Sequence, residues 1–299
     1  KTKTAARGEG ISFNGIYTVD ARTGELLWHY GTQGEAMPTP AHAAGKIFFV
    51  TGDGYAIALE AASGKLLWKT ELKGMANMSS PAIVDGKLYV AMSSPGSVFC
   101  VDAATGKKLW QGAIRGAEDT GIGDVSPAVS DHIVVMDAVA DAKQENGKST
   151  MDTRIVAYNA ETGKILWQAN MGRGPKPPAF KGGVPMIHAG VVYVGSPVNN
   201  VLQAYDLQTG QLKWTWKIPH AGAAGSARGA PTYYRDTLYV STGEYVYALN
   251  PQVGKLIQAH HVEGRFGVVN PVIVGGSAYL SHSWDWLHAT PLKQFHVVN

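Results

Sequence analysis

Between Ser80 and Trp110 the apolar positions fall in short runs separated by polar turns, and they keep no helical period. Pro81-Ala82-Ile83-Val84 is apolar, and Asp85-Gly86 then has the composition of a hairpin turn. Lys87 to Met92 predicts a second strand, Ser93 to Gly96 a turn, and Ser97 to Val101 a third strand. Ala103 to Gly106 turns again, and Lys108-Leu109-Trp110 begins a fourth. Runs this short, β-branched and aromatic, bounded by Gly-containing turns, predict an antiparallel four-stranded sheet. A single sheet of this kind cannot bury both faces, so its neighbours along the chain must stack on it.

The neighbours repeat the pattern. Asp-Ala-x-Thr-Gly-x-x-x-Trp reads Asp20 to Trp28, Glu60 to Trp68 and Asp102 to Trp110, and returns as Asn159 to Trp167 and Asp206 to Trp214. A decayed copy runs from Asn250 through Gly254, with Gln258 in the Trp position. The motif glycines stand 40, 42, 57, 47 and 44 residues apart, a period that marks an array of supersecondary units. Each position has a physical role. The acid or amide can accept backbone N–H groups two residues on. The glycine supplies a positive φ, and the Trp offers a broad apolar face with one N–H donor. A small residue two positions before the acid (Thr18, Ala58, Cys100, Ala157, Ala204, Ala248) leaves room for a neighbouring Trp.

These residues resemble the tryptophan-docking motif of the PQQ-type repeat β-propellers. That group includes the quinoprotein alcohol dehydrogenases, the outer-membrane assembly lipoprotein BamB and tetrathionate hydrolases. The resemblance covers nearly the whole chain. It implies an all-β fold, a β-propeller of four-stranded antiparallel blades, and a periplasmic or extracellular location. Innermost strands are expected after Pro40, Pro81, Pro127, Pro185, Pro231 and Pro271, and the blade motifs end near 28, 68, 110, 167, 214, 258 and 290. Residues 1–299 then form one propeller domain of seven blades, with eight as the alternative count. Two stretches break the period: a polar hairpin extension, Val139 to Asp152, and a Gly/Pro-rich basic connection, Met171 to Gly183.

Composition removes several function classes. With 26 basic and 23 acidic residues and no Lys/Arg block, nucleic acid is not an expected partner. No apolar run approaches the roughly 20 residues that span a bilayer. The chain opens Lys1-Thr2-Lys3-Thr4, without a signal peptide, which suggests a mature form or a fragment. Cys100, the single cysteine, excludes an internal disulfide and fits a packed thiol in the small-residue slot.

Candidate chemistry gathers before the innermost strands, at one mouth of the channel. Asp124 and Arg228 are the candidate catalytic pair, with Asp124 orienting or deprotonating a water. Asn77, Lys181, Arg265 and Asn270 complete a ring that could hold a small anion. No metal ligand set is expected. A dehydrogenase using PQQ and calcium is disfavoured, because such enzymes carry a vicinal Cys pair over the quinone and this chain has one Cys. Ser281 to His288 alternates His282, Trp284 and Trp286 on one face, which suits blade packing, a docking surface or a metal. Two functions follow as expectations. The first is a non-catalytic binding or assembly module for a protein partner, as the BamB resemblance implies. The second is an enzyme acting on a small anion or reduced compound, closer to a tetrathionate hydrolase than to a quinoprotein.

Overall fold

The structure, a computed structural model, describes residues 14–36, 38–76, 79–92, 96–117, 125–176, 183–196, 198–219, 229–242, 244–261, 270–281 and 287–291. Every element among them is a strand. The first sheet pairs β1 (Gly15–Val19) with β2 (Leu26–Gly31). The second holds β3 (Ala41–Ala43), β4 (Lys46–Val50), β5 (Tyr55–Glu60) and β6 (Leu66–Glu71). The third holds β7 (Ala82–Val84), β8 (Lys87–Met92), β9 (Ser97–Asp102) and β10 (Lys108–Ala113). The fourth is longer: β11 (Ala128–Ser130), β12 (Ile133–Glu145), β13 (Lys148–Asn159) and β14 (Ile165–Pro175).

The fifth sheet comprises β15 (Met186–His188), β16 (Val191–Ser196), β17 (Val201–Asp206) and β18 (Leu212–Lys217). The sixth comprises β19 (Thr232–Tyr234), β20 (Thr237–Thr242), β21 (Tyr245–Leu249) and β22 (Leu256–His261). The seventh has β23 (Val272–Val274), β24 (Ser277–Ser281) and β25 (Leu287–Pro291). Each sheet is an antiparallel meander in chain order, and the second to seventh are blades that each begin with a three-residue innermost strand. The core lies between blades. Phe48, Val50 and Ala58 of the second blade pack on Leu88, Val90 and Phe99 of the third. Ile155 and Ala157 of the fourth pack on Val192, Val194 and Tyr205 of the fifth. Similar clusters join the remaining consecutive blades.

The motif locks these joints. Trp28 donates its indole N–H to the carbonyl of Ala61 one blade on, at 3.1 Å, and Trp68 does so to Ala103, also at 3.1 Å. Trp110 reaches Ala160 at 2.8 Å, Trp167 reaches Leu207 at 2.8 Å, and Trp214 reaches Pro251 at 2.9 Å. The last link shows that the decayed sixth motif still receives a Trp although it sends none. Within the turns, the Asp102 carboxylate accepts the N–H groups of Ala104 and Thr105, and Asn159 accepts those of Glu161 and Thr162. Glu60, one methylene longer, instead accepts the hydroxyl of Ser63.

The small-residue slot serves the Trp of its own blade and not the one that arrives from the preceding blade. Ala58 is the cross-strand partner of Trp68, Cys100 of Trp110, and Ala204 of Trp214, all within one blade. A residue without bulk there lets the indole lie along its own sheet before crossing to the next. Cys100 is fully buried, and burial pushes its thiol up to about 11, so it is a packing group.

Gly163 carries both constraints of the motif turn. Its φ is +68°, and an added Cβ would stand 2.6 Å from the Trp110 ring. Gly163→Ala is therefore expected to cost at least the roughly 1–3 kcal/mol of a non-glycine residue held at positive φ. Gly45 has φ +70°, but a Cβ added there would meet nothing within 4 Å, so Gly45→Ala should lose only the strain. Urea midpoints of the two variants separate the steric part from the backbone part.

Candidate functional site

The fourth blade rises above the others. β12 and β13 stay paired from Ile133↔Asn159 to Glu145↔Lys148, as expected for a hairpin extension. β14 follows them up to Thr150↔Pro175, so Met171 to Pro175 is strand and not connection. Glycine made that segment look like loop; here it permits contact. A Cβ on Gly174 would lie 1.9 Å from the carbonyl oxygen of Val198 in the fifth blade. Asn199 adds a hydrogen bond from its amide to the Met171 carbonyl at 2.8 Å.

Ion pairs stiffen this arm. Arg173 meets Asp152 at 2.9 Å and also donates to the Thr150 hydroxyl and the Asp141 carbonyl. Arg154 pairs with Asp141 and reaches back to the Arg115 carbonyl of the third blade at 2.9 Å. Asp152 is buried, so Arg173→Met strips its carboxylate of the ion pair and leaves it the Asn170 amide. A loss of about 1–3 kcal/mol is expected, between exposed and fully buried pairs, and would appear as a lower unfolding midpoint.

At the channel mouth a repeated link joins the entries to the innermost strands. The N–H of Thr39 is donated to the Ser80 hydroxyl at 3.1 Å, and that of Ser80 to the Ser126 hydroxyl at 3.0 Å. The N–H of Ala230 is donated to the Asn270 side chain at 2.6 Å. Each donor directly precedes a proline, and each acceptor is the equivalent residue one blade on. Asn270 thus has a structural partner, although it is exposed at the mouth. The other five candidates, Asp124, Arg228, Asn77, Lys181 and Arg265, lie outside the described residues, as do His282, Trp284, Asp285 and Trp286. Val125, Gly229 and Ala76, the described chain neighbours of Asp124, Arg228 and Asn77, precede innermost strands in the chain.

One residue of the mouth escaped the motif-based reading. Asp137 is fully buried two positions beyond Val135, the partner of Ala128 at the start of β11. It is therefore level with the strand entries. The same register position holds Val50, Ala91, Gly195, Ser241 and Ser281 in the second, third, fifth, sixth and seventh blades. Its Oδ2 accepts the Gly183 N–H at 2.7 Å, while Oδ1 has no partner among the described residues. Burial pushes this carboxyl well above the ordinary carboxylate range, with the Gly183 and Ala138 N–H groups opposing only part of that. The signal was in the sequence: one acid inside the run Ile-Val-Val-Met-Asp-Ala-Val-Ala from Ile133 to Ala140. Nearby, the hydroxyls of Thr153 and Ser196 share a buried hydrogen bond of 2.8 Å across the joint.

No group of three His, Cys, Asp or Glu side chains suited to a metal occurs among the described residues. Five indoles are committed to inter-blade bonds, and the one cysteine is buried. The described residues do not fit a quinone held by calcium under a vicinal disulfide. No helix among them is long and apolar enough to cross a membrane.

Fold and motif together define a β-propeller of PQQ-like repeats. A family model described as outer membrane protein assembly factor BamB matches residues 12–176 and 145–283, and the chain belongs to that family. It is similar to the tetrathionate hydrolase of Acidithiobacillus ferrooxidans, at 49% identity over 289 residues, covering 97% of this chain and 58% of the relative. It is also similar to the tetrathionate hydrolase of Acidianus ambivalens, at 38% identity over 94% of this chain and 55% of the relative. The chain thus spans little more than half the length of these relatives. Among solved structures, BamB from Moraxella catarrhalis superposes with a TM-score of 0.67 at 18% identity, over 95% of this chain and 78% of that one.

Proposed function

We propose that this chain is the greater part of the propeller of an enzyme that hydrolyses tetrathionate outside the cytoplasm. The observation that carries the proposal is the 49% identity over 97% of the chain with a tetrathionate hydrolase, against 18% with the BamB structure. The enzyme reading thereby takes precedence over the assembly-module reading. Tetrathionate is a small dianion, which suits a mouth whose candidate ring includes Lys181, Arg228 and Arg265. Water would form an O–S bond at a central sulfur as the S–S bond breaks, and the electron pair would leave with thiosulfate. The proton released by that water would go to Asp124 acting as base. The sulfur fragment left behind would carry the new hydroxyl.

The experiment is a thiosulfate-release assay on the full-length protein containing this chain, with tetrathionate, without added quinone or calcium. Turnover that persists after chelation is expected. Tetrathionate left intact under all conditions from acid to neutral pH would overturn the reading. In that case co-purification of a protein partner would favour the assembly module, which the family model supports.

A further inference from the structure

The link between entry segments fails at two joints, because the acceptor positions of the fifth and sixth blades hold Val184 and Ala230; the joint between the fourth and fifth blades carries a replacement. Thr39 donates to Ser80 and Ser80 to Ser126, but the next equivalent residue is Val184, whose side chain has no acceptor. At that joint the fifth blade donates instead, from the N–H of Gly183, and the fourth blade answers with Asp137. The link is reversed in direction, and a hydroxyl or amide acceptor has been replaced by a carboxyl.

That replacement is chemically different from the others. A Ser hydroxyl or an Asn amide never changes charge, whereas a carboxyl does. Asp137 is fully buried, with Ile155 as its cross-strand partner, and Oδ1 meets nothing among the described residues. The described groups that pack around it are neutral. Thr153 on β13 and Ser196 on β16 are hydroxyls bonded to each other. The titratable group that feels it is the Tyr205 phenol on β17, itself pushed up by burial and by this carboxyl. The nearest described ion pairs, Arg173–Asp152 and Arg154–Asp141, are already matched. No described cation is placed to balance a charge on Asp137. A buried charge without a counterion seeks water, and hydrating Oδ1 requires the fourth and fifth blades to part at the mouth.

We propose that Asp137 is an acid-closed clasp for the joint between the fourth and fifth blades at the channel mouth. The neutral carboxyl holds Gly183 and keeps the joint tight, and its ionisation loosens the joint toward neutral pH. The sign follows from linkage. A carboxyl that ionises less readily in the folded chain supports folding below its unfolded value near 3.8 and withdraws that support as pH rises through its folded value.

The test is thermal unfolding of the full chain and of Asp137→Asn at pH 3.5 and pH 7, with hydrogen exchange at the Gly183 amide. Asparagine keeps the acceptor and cannot ionise. Asp137→Asn is expected to melt about 4 °C or more above the parent at pH 7 and level with it at pH 3.5. Gly183 protection in the parent should fall at least about tenfold from pH 3.5 to pH 7, after correction for intrinsic exchange, and stay level in the variant. A melting difference that is the same at both pH values overturns the proposal. If Asp137→Asn does not fold, Gly183 protection in the parent decides alone: a value constant between the two pH values sinks the clasp. None of these readouts requires turnover, so the clasp and the hydrolase reading can fail separately.

Discussion

Trp214→Ala is expected to lower the unfolding free energy by about 3–5 kcal/mol, the range of buried aromatic truncations. Trp214 is nearly buried, at 9% exposure. Its indole bonds the Pro251 carbonyl at 2.9 Å, its ring covers Gly254, and it stacks obliquely on Tyr193. Removing it empties the joint between the fifth and sixth blades and leaves the Pro251 carbonyl with the longer 3.4 Å bond from the Tyr193 hydroxyl. Trp110→Ala should fall nearer the lower end, because that side chain is only partly buried. Gln258→Ala, at the position where the sixth motif has no Trp, should move stability by less than about 1 kcal/mol. Urea unfolding of the three variants tests the order. Equal losses for Trp214 and Gln258 would mean that the repeat is held by strand pairing and not by the indoles.

The same residues explain how far the sequence could be read. Motif, turn acids, glycines and strand boundaries are local, and they recur, so each copy corrects the next. That is why the Asp85-Gly86 turn and all four strands of the Ser80–Trp110 unit stand where the pattern put them. Features that do not repeat were harder to see. Gly172 and Gly174 looked like loop because glycine usually breaks a strand. Only the position of Val198 and Asn199, some 25 residues on and one blade away, turns them into contact points. Asp137 was hidden for the opposite reason: it sits where other blades have small or apolar residues, so a search for shared positions passes over it. The destination of the small-residue slot also required the register, since a gap between sheets and a gap within one look alike in a sequence.

On the hydrolase reading proposed above, Asp124→Asn is expected to lower tetrathionate turnover of the full-length protein by about 10²–10⁴-fold, the contribution of a positioned general base, while the protein stays folded. Asn keeps the shape and one acceptor but cannot take the proton of an attacking water. Stability should change little, because the bonds that fix this entry belong to the neighbouring residues. The Val125 carbonyl accepts the Ser79 hydroxyl at 2.7 Å, and the Ser126 hydroxyl accepts the Ser80 N–H. Arg228→Gln gives the control. A cation that holds the dianion equally in ground and transition states, once lost, raises KM and leaves kcat nearly unchanged. Lowered kcat in Asp124→Asn with raised KM in Arg228→Gln would assign proton transfer to the first residue and substrate anchorage to the second. Unchanged kcat in Asp124→Asn would remove it from the chemistry.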